Sequence, residues 1–263
     1  MKLLILGGTR FVGRHIAAEA LARGHRVTLL NRGLTAPHLF PEAEHLPADR
    51  DRELPRKNRW DAAIDVNGYA SEAVARAASW LENSFYAFVS SVSAYRQPFP
   101  PGIDESAPLE DNPENPYGWA KARCEEALAP GSLILRPGVL VGPHDFKERL
   151  TWWVERLRGG AVLEAPRQGR VQLLDARDLA CFVLDQVERR QGGAYNVTGP
   201  ARPLREVLLT CARAAGAGEL RFVEGPLDAP LCEGADWFHS VSHRKALAAG
   251  LRYRPLEESL SDP

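Results

Sequence analysis

The chain has 263 residues, of which 44% are hydrophobic and 25% charged, and its formal net charge is -1. This is the profile of an ordinary soluble globular protein, large enough to bury a stable core without disulfide or metal staples. The near-zero charge argues against a protein that functions on nucleic acid phosphates.

Apolar runs bounded by turn residues alternate with stretches of helical period along most of the chain. The predicted strands are residues 2–6, 26–31, a weaker 44–48, 61–66, 85–90, 132–137 and 194–199. The predicted helices are residues 14–23 with Gly24 as a stop signal, 71–81 with Ser71 as N-cap, 117–128 and 176–190. This alternation predicts an α/β fold, a Rossmann-type doubly wound parallel sheet with crossover helices.

Three stretches depart from this alternation. The proline-rich segment 96–116 is predicted to be a long loop bordering the ligand crevice, and so a candidate lid. Residues 142–169 and the chain from Pro200 onward show no regular pattern of strands and helices. We therefore expect a Rossmann core of residues 1–141 and 171–199, with a small C-terminal substrate lobe of residues 142–170 and 200–263.

A glycine-rich loop lies between the first strand and the first helix, in LILGGTRFVGRH, residues 4–15. In the pattern G-x-x-G-x-x-G, Gly7 and Gly13 hold the outer positions and Arg10 holds the middle one. Backbone N–H groups and the helix N-terminus of such a loop face a pyrophosphate. The loop thus predicts a dinucleotide site built from Gly7, Gly8, Thr9, Arg10, Phe11, Val12 and Gly13.

The end of the second strand predicts which dinucleotide binds. An NAD enzyme typically carries an acidic residue there, whereas an NADP enzyme offers positive charge. This chain has Asn31 followed by Arg32, and Arg10 would add a second guanidinium near the adenosine ribose. The sequence therefore predicts NADP(H) in preference to NAD(H). The alternative is that Arg32 is a solvated turn residue and that Arg10 packs on the loop.

Two motifs predict a site for proton transfer. In YGWAK, Tyr117 and Lys121 lie four residues apart on one helical face. A lysine nearby and a positive nicotinamide ring would lower the pKa of the phenol from its ordinary value of ~10. The fifth strand runs into SSVSAY, whose serines would lie beside Tyr117 and hydrogen-bond a substrate oxygen.

Together these motifs resemble the short-chain dehydrogenases/reductases, specifically the extended or atypical branch that includes NAD-dependent epimerase/dehydratase proteins. GGTRFVG is similar to the atypical G-G-x-x-x-x-G loop, SSVSAY to the serine strand and NPYGWAK to the P-Y-x-x-x-K helix. LRPGVLVGPHD resembles the R-P-x-x-x-x-G-P segment, and LLDARDLA followed by GGAYNVTGP resembles the return from the substrate lobe. These matches cover nearly the whole chain.

The resemblance implies roles for single residues. Tyr117 would be the general acid/base, Lys121 would orient the nicotinamide ribose, and Ser91 would be the catalytic serine, with Ser90 and Ser93 as alternatives. Further cofactor contacts would be Asp49 at the adenine amino group, Asn67 and Gly68 at the adenosine ribose, Pro137 behind the nicotinamide, and Ser90. Apart from the resemblance, the residues themselves suggest substrate contacts: Arg149 and Arg170 could bind an acidic substrate group or be solvated, and His144 could be a polar contact or a surface residue. Ser93 and Tyr95 are further candidates.

The sequence also departs from the family pattern. It is shorter than typical sugar-nucleotide epimerases, and SSVSAY lacks the threonine-acid-acid pattern of sugar 4,6-dehydratases. LRPGVLVG lacks the asparagine that holds the diphosphate of a sugar nucleotide in these epimerases. A sugar nucleotide is therefore one candidate substrate and not the expected one.

The leading interpretation is an NAD(P)-dependent oxidoreductase or epimerase/dehydratase-like enzyme acting on a small hydroxyl or carbonyl substrate. The alternative is a catalytically weak NAD(P)-binding regulator or RNA-binding protein, like the chloroplast stem-loop-binding members of the atypical branch. A third is a degenerate enzyme that binds cofactor without turnover, with Arg10 obstructing the loop. The complete serine, tyrosine and lysine set favours the enzyme, and the resemblance also implies a homodimer.

Cysteine spacing and hydropathy indicate the compartment. The cysteines form no C-x-x-C pair, so we expect reduced thiols and neither zinc nor a redox couple at Cys124, Cys181, Cys211 and Cys232. MKLLILGG is too short in apolar residues for a signal peptide, and no run approaches the ~18 apolar residues of a membrane span. A cytoplasmic protein with no metal and no membrane contact is expected.

Overall fold

The computed structural model describes residues 1–55, 59–159, 161–164, 169–218, 220–225 and 239–261. Within these ranges Cys124, Cys181 and Cys211 are free thiols, and Cys232 lies outside the described residues. A search of the described helices finds none with the length and apolar character needed to span a membrane.

The elements of the described ranges follow in chain order. The strands are β1 Lys2–Leu6, β2 Arg26–Asn31, β3 Glu44–Pro47, β4 Ala62–Asp65, β5 Phe85–Val89, β6 Leu133–Pro137, β7 Val139–Val141, β8 Ala161–Glu164, β9 Arg170–Asp175, β10 Gly193–Val197, β11 Ala201–Pro203 and β12 Leu220–Val223. The helices are α1 Phe11–Ala22, α2 Ser71–Trp80, α3 Pro116–Glu126, α4 Thr151–Leu157, α5 Ala176–Glu188, α6 Leu204–Ala214, α7 Arg244–Ala248 and α8 Leu256–Ser261, with a short 3-10 helix at Val92–Ala94.

Seven parallel strands form the central sheet in the order β10-β6-β5-β4-β1-β2-β3. Its inner strands are nearly continuous apolar runs, as expected where both faces of a sheet are covered. In β1, for example, every residue from Leu3 to Leu6 is buried. Helices α1 and α5 pack on one face, and α2 and α3 on the other. The predicted doubly wound Rossmann-type fold is confirmed.

The N-terminal ends of α1 and α2 differ from the prediction. Helix α1 begins at Phe11, three residues earlier than expected, because Arg10 already has the extended backbone of an N-cap residue. Helix α2 has Ala70 at its N-cap, so the prediction of Ser71 as the cap was wrong by one residue. Gly24 follows α1 with φ of 75°, consistent with its role as a stop signal.

The stretches predicted to lack regular structure contain several elements. Strand β9 pairs with β7 and β11, strand β8 pairs with β12, and α4, α6 and α8 pack beside them around a second apolar core that includes Trp153. In α6 the buried residues recur at helical spacing, at Leu204, Val207, Leu208 and Cys211. This short apolar pattern was the sequence signal for a helix that the prediction missed. The division into core and lobe remains a prediction.

The proline-rich segment 96–116 is tied to the body of the protein. The Gly102 N–H donates to the Ser240 carbonyl at 2.6 Å, and the Ser242 N–H donates to the Ile103 carbonyl at 2.8 Å. Phe99 is buried against Val241. The described lining of the cleft contains no residue of this segment, so the expectation of a lid was wrong.

Candidate active site

A cleft of about 450 Å³ lies at the carboxyl ends of the central strands, where ligands bind in open α/β sheets. Most of the predicted site residues line it: Gly7, Gly8, Thr9, Arg10, Phe11, Val12, Gly13, Asn31, Arg32, Asp49, Asn67, Ser90, Ser91, Tyr117, Lys121, Pro137 and Arg149. Five predicted residues lie outside the described lining: Gly68, Ser93, Tyr95, His144 and Arg170. The described ranges contain no cluster of three side chains suited to hold a metal ion.

The glycine loop forms a cradle of backbone at the N-terminus of α1. A Cβ at Gly13 would lie 2.7 Å from the Gly8 backbone nitrogen, so only glycine lets the helix sit this close to the loop. The first turn of α1 carries no acidic residue. This arrangement fits a pyrophosphate, which the N–H groups and the helix dipole would hold.

Arg10 is placed differently from the expectation. Its guanidinium carbon lies 4.5 Å from the centre of the Phe146 ring, and Phe11 meets the same ring edge-on with centroids 6.3 Å apart. Arg10 therefore contacts the segment that follows β6 and β7, whereas Arg32 follows β2, on the other side of β1. The expectation that Arg10 and Arg32 both lie near the adenosine ribose was therefore wrong for Arg10.

The end of the cleft that is predicted to hold adenosine, here called the adenosine end, is lined by side chains at the ends of β2 and β3. Asn31 donates to the Gly7 carbonyl at 3.1 Å and accepts from the Gly33 N–H at 2.8 Å, so it fixes two loops. Arg32 is exposed beside it. Asp49 accepts from the Asp51 N–H at 3.1 Å. Arg32 thus presents positive charge at this end.

A buried charged group beneath this end was missed by the sequence interpretation. Arg50 donates to Asp65 at 2.5 Å, and the Tyr86 hydroxyl donates to the other Asp65 oxygen at 2.7 Å. Asp65 also accepts from the Asn67 N–H at 3.1 Å. Burial raises the pKa of Tyr86 well above its ordinary value. An aspartate ending an apolar strand was the available sequence signal, and its partners are distant in the chain.

The predicted proton-transfer residues meet at the inner end of the cleft. Helix α3 begins at Pro116 after Asn115, whose side chain caps it by accepting from the Gly118 N–H. Tyr117 lies in the first turn, and its hydroxyl is hydrogen-bonded to Ser91. Ser91 also accepts from the Ser93 N–H at 3.1 Å. The end of β5 and the start of α3 thus position the serine and the tyrosine together.

Lys121 follows one helical turn later and is buried. Its Nζ donates to the Gly68 carbonyl at 2.9 Å and the Val89 carbonyl at 3.1 Å, and lies 4.6 Å from the Tyr69 ring centre. Burial lowers the pKa of Lys121 to about 8. Gly68, a predicted ribose contact, therefore acts through its carbonyl on Lys121.

The pKa of Tyr117 differs from the expectation. Burial raises the pKa of the phenol above its ordinary value, while the hydrogen bond from Ser91 and the charge of Arg149 lower it. Lys121 was expected to lower the pKa of Tyr117. In the structure the Lys121 ammonium donates to backbone carbonyls instead, and it does not lower that pKa. At neutral pH Tyr117 therefore holds its proton.

The fold is shared with solved enzymes. UDP-N-acetylglucosamine 4-epimerase from Bacillus cereus superposes with a TM-score of 0.76 at 20% identity, covering 99% of this chain and 96% of that one. UDP-glucose 4-epimerase from Thermus thermophilus, solved with NAD, gives 0.72 at 21% identity, with 99% and 96% covered. The chain has the fold of these UDP-sugar 4-epimerases.

The sequence relatives of this chain include two kinds of protein. The chloroplast stem-loop binding protein of 41 kDa b from Arabidopsis thaliana is 27% identical over 258 residues, covering 84% of this chain and 65% of that protein. UDP-glucose 4-epimerase from Lactobacillus helveticus is 26% identical over 155 residues, 49% of this chain and 46% of the relative. The chain thus spans between about half and two thirds of these relatives. No model of a known protein family matches it.

Within this fold, a buried polar cluster replaces two predicted contacts. Ser90 donates to Glu125 at 2.5 Å, and Glu125 also accepts from Arg136 at 2.6 Å. The Tyr95 hydroxyl accepts from Arg136 at 2.7 Å and donates to Asn196 at 2.6 Å. Tyr95 is 0% exposed, so it is a core residue and not a substrate contact. Ser90 has its hydroxyl turned to Glu125, which leaves Ser91 as the serine beside Tyr117.

Three other predicted substrate contacts hold the fold instead. Ser93 positions Ser91 through its backbone N–H. His144 has φ of 62° and stacks on His15 with ring centroids 5.8 Å apart. Arg170 donates to the Ala201 carbonyl at 2.6 Å and so joins β9 to β11. Of the predicted substrate contacts, only Arg149 lines the described cleft.

The close approach of α3 to the serine segment leads to a testable prediction. A Cβ at Gly118 would overlap the Ser93 carbonyl oxygen, so Gly118→Ala is expected to push Tyr117 away from Ser91. Because small misplacements at a reacting centre are costly, turnover should fall by roughly 10- to 100-fold, with cofactor affinity little changed. Steady-state kinetics and a cofactor titration measure both quantities. Gly218→Ala, which adds a methyl group in open space, is the control; equal turnover in both variants would contradict the prediction.

Proposed function

We propose that the protein is an NAD(P)-dependent enzyme of the oxidoreductase and epimerase or dehydratase type, acting on a small hydroxyl or carbonyl substrate. One observation carries this proposal: Ser91, Tyr117 and Lys121 meet in the same cleft whose other wall is the glycine loop. The similarity to UDP-glucose 4-epimerases supports the reaction class.

Each side chain has a task that follows from its environment. A bound nicotinamide would supply or accept hydride at the substrate carbon. Tyr117 would move the proton at the substrate oxygen, and Ser91 would hydrogen-bond that oxygen. Lys121 has two of its donors on backbone carbonyls, which leaves one to orient a ribose hydroxyl.

Binding and copurification experiments test the proposal. NADPH fluorescence should change on titration with the protein, and mass spectrometry of molecules released from the purified protein should identify a hydroxyl or carbonyl compound. Binding of neither NADPH nor NADH would overturn the proposal.

We further propose that NADP(H) is preferred, through Arg32. Arg32→Ala is expected to weaken NADPH binding by about tenfold, because a charge-assisted hydrogen bond to the 2'-phosphate is lost, and to leave NADH binding nearly unchanged. Fluorescence titration with both dinucleotides measures the ratio of the two affinities. Arg10→Gly is the comparison variant, and it should change both affinities by similar factors because Arg10 stacks on Phe146. An unchanged NADPH to NADH ratio in Arg32→Ala would contradict the assignment.

A second candidate function is RNA binding, because the Arabidopsis relative that matches 84% of this chain is named as a stem-loop binding protein. The net charge of -1 gives it no general electrostatic support. A filter-binding assay with a stem-loop RNA at moderate salt tests it. Strong retention that survives saturation with NADPH would favour this function.

A further inference from the structure

The loop between β7 and α4 brings one arginine, Arg149, to the cleft lining. Arg149 lines the cleft together with Ser91 and Tyr117. Its Nη1 donates to both carboxylate oxygens of Asp145, at 3.0 and 3.2 Å. The Asp145 side chain is only 4% exposed, so this ion pair is anchored inside the protein. Arg149 is therefore held from one edge in a fixed orientation.

The remaining donors of Arg149 are available to a ligand. Asp145 is occupied further by the backbone N–H groups of Lys147 and Arg149. Within the described ranges, the Arg149 Nε and Nη2 groups have no hydrogen-bond acceptor in the protein. A planar guanidinium that is fixed on one edge offers its other edge as a two-pronged donor, which matches a carboxylate or a phosphate.

Charges around Tyr117 favour an anion over a cation. Arg149 and Tyr117 line the same cleft, and the charge of Arg149 lowers the pKa of the Tyr117 phenol. The carboxylates in the described cleft lining, Asp49 and Asp51, follow β3 at the adenosine end. No acidic group of the described lining therefore competes for Arg149 beside Tyr117.

Two exposed aromatic rings also line the cleft. Tyr69 is 56% exposed and Phe146 is 60% exposed, and both line the cleft. Tyr69 packs near Tyr117, with ring centroids 6.4 Å apart. Exposed apolar faces in a cleft are surfaces that a ligand covers on binding. Tyr69, which lies beside Tyr117, would cover the carbon skeleton of a substrate whose charge lies at Arg149.

We propose that Arg149 binds a carboxylate or phosphate oxyanion of the substrate, close to the carbon whose oxygen exchanges a proton with Tyr117. The substrate is then an acidic small molecule, a hydroxy or keto acid, a sugar acid or a sugar phosphate. This inference rests on the proposed function, which places the reacting oxygen at Tyr117. Asp145 is the positioning residue, because it fixes the guanidinium before the substrate arrives.

Calorimetric titration with matched probes tests the inference. D-glucose, D-glucuronate and D-glucose 6-phosphate are titrated into the protein, both alone and saturated with NADP⁺. One or both anionic probes should bind at least roughly tenfold more tightly than glucose, and Arg149→Gln should remove that difference. The two anionic probes distinguish a carboxylate from a phosphate substrate. Arg156→Gln, which removes an exposed arginine of α4, is the control and should retain the difference.

A spectroscopic readout tests the proximity independently. The tyrosinate absorbance of wild type minus that of Tyr117→Phe reports the ionisation of Tyr117. Arg149→Gln should move this titration to higher pH, and Arg149→Lys, which keeps the charge, should not. Lack of binding by both anionic probes, or equal binding of all three, would overturn the inference even where NADP⁺ binds. Failure of both NADP⁺ and NAD⁺ to bind while the anionic probes bind would instead overturn the proposed function.

Discussion

Tyr117→Phe is expected to lower turnover by about 10²- to 10⁴-fold, the usual contribution of a positioned acid or base. The hydroxyl of Tyr117 is hydrogen-bonded to Ser91 in the cleft, and its raised pKa keeps the proton available at neutral pH. Phenylalanine keeps the ring and removes the proton. Turnover of the substrate identified by copurification is measured by chromatographic separation of substrate and product, because an epimerase or dehydratase regenerates its nicotinamide in each cycle and leaves the nicotinamide absorbance unchanged.

The control separates chemistry from binding. Affinity for NADPH should remain within about twofold of wild type, because the hydroxyl serves the substrate oxygen and not the dinucleotide phosphates. Tyr253→Phe is the matched variant, since its hydroxyl donates to the Thr198 carbonyl outside the described cleft lining. Turnover that persists in Tyr117→Phe would remove this residue from its role.

Lys121→Met is expected to change how stability depends on pH. The free energy of unfolding of the variant minus that of wild type should fall by roughly 3 kcal/mol between about pH 7 and about pH 10.5. Burial lowers the pKa of Lys121 from 10.5 to about 8. Below pH 8 the lysine is protonated in both the folded and the unfolded chain. The buried charge has lost its hydration in the folded state, and this loss lowers the free energy of unfolding.

The direction follows from proton binding. Between pH 8 and pH 10.5 the folded lysine is neutral, whereas the unfolded chain still binds the proton, so wild-type stability rises with pH in this window. Methionine has no proton to lose, and the variant lacks that rise. Urea denaturation at several pH values measures the difference, with Lys147→Met, an exposed lysine, as the control. A difference that stays constant with pH would show that Lys121 is not buried as a cation.

The proposed roles of Arg10 and Arg32 show where local pattern was insufficient. Both are positive residues close to the predicted dinucleotide site, and the sequence pattern predicted the same role for both. In the structure Arg10 stacks on Phe146, 136 positions further along the chain, while Arg32 stays exposed at the end of β2. A contact over that separation depends on how β7 and its following loop return to the sheet.

The sequence by itself determined the features that depend on neighbours in the chain. The apolar runs of the central strands, the glycine loop before α1 and the Tyr117 and Lys121 spacing are all set within a few residues, because strand and helix periods are local. They were sufficient to predict the doubly wound sheet and to place Tyr117, Lys121 and a serine of SSVSAY in one cleft, and the family resemblance identified that serine as Ser91.

Only the tertiary structure decided which polar side chains face that cleft. Tyr95 donates a hydrogen bond to Asn196, and Ser90 donates one to Glu125. Asn196 and Glu125 lie on other strands and helices, and no sequence pattern indicates that they would be the partners. Arg149 stays in the cleft because Asp145 anchors it. Buried polar groups must find partners when water is excluded, and the identity of those partners is fixed by the packing of whole elements rather than by local sequence.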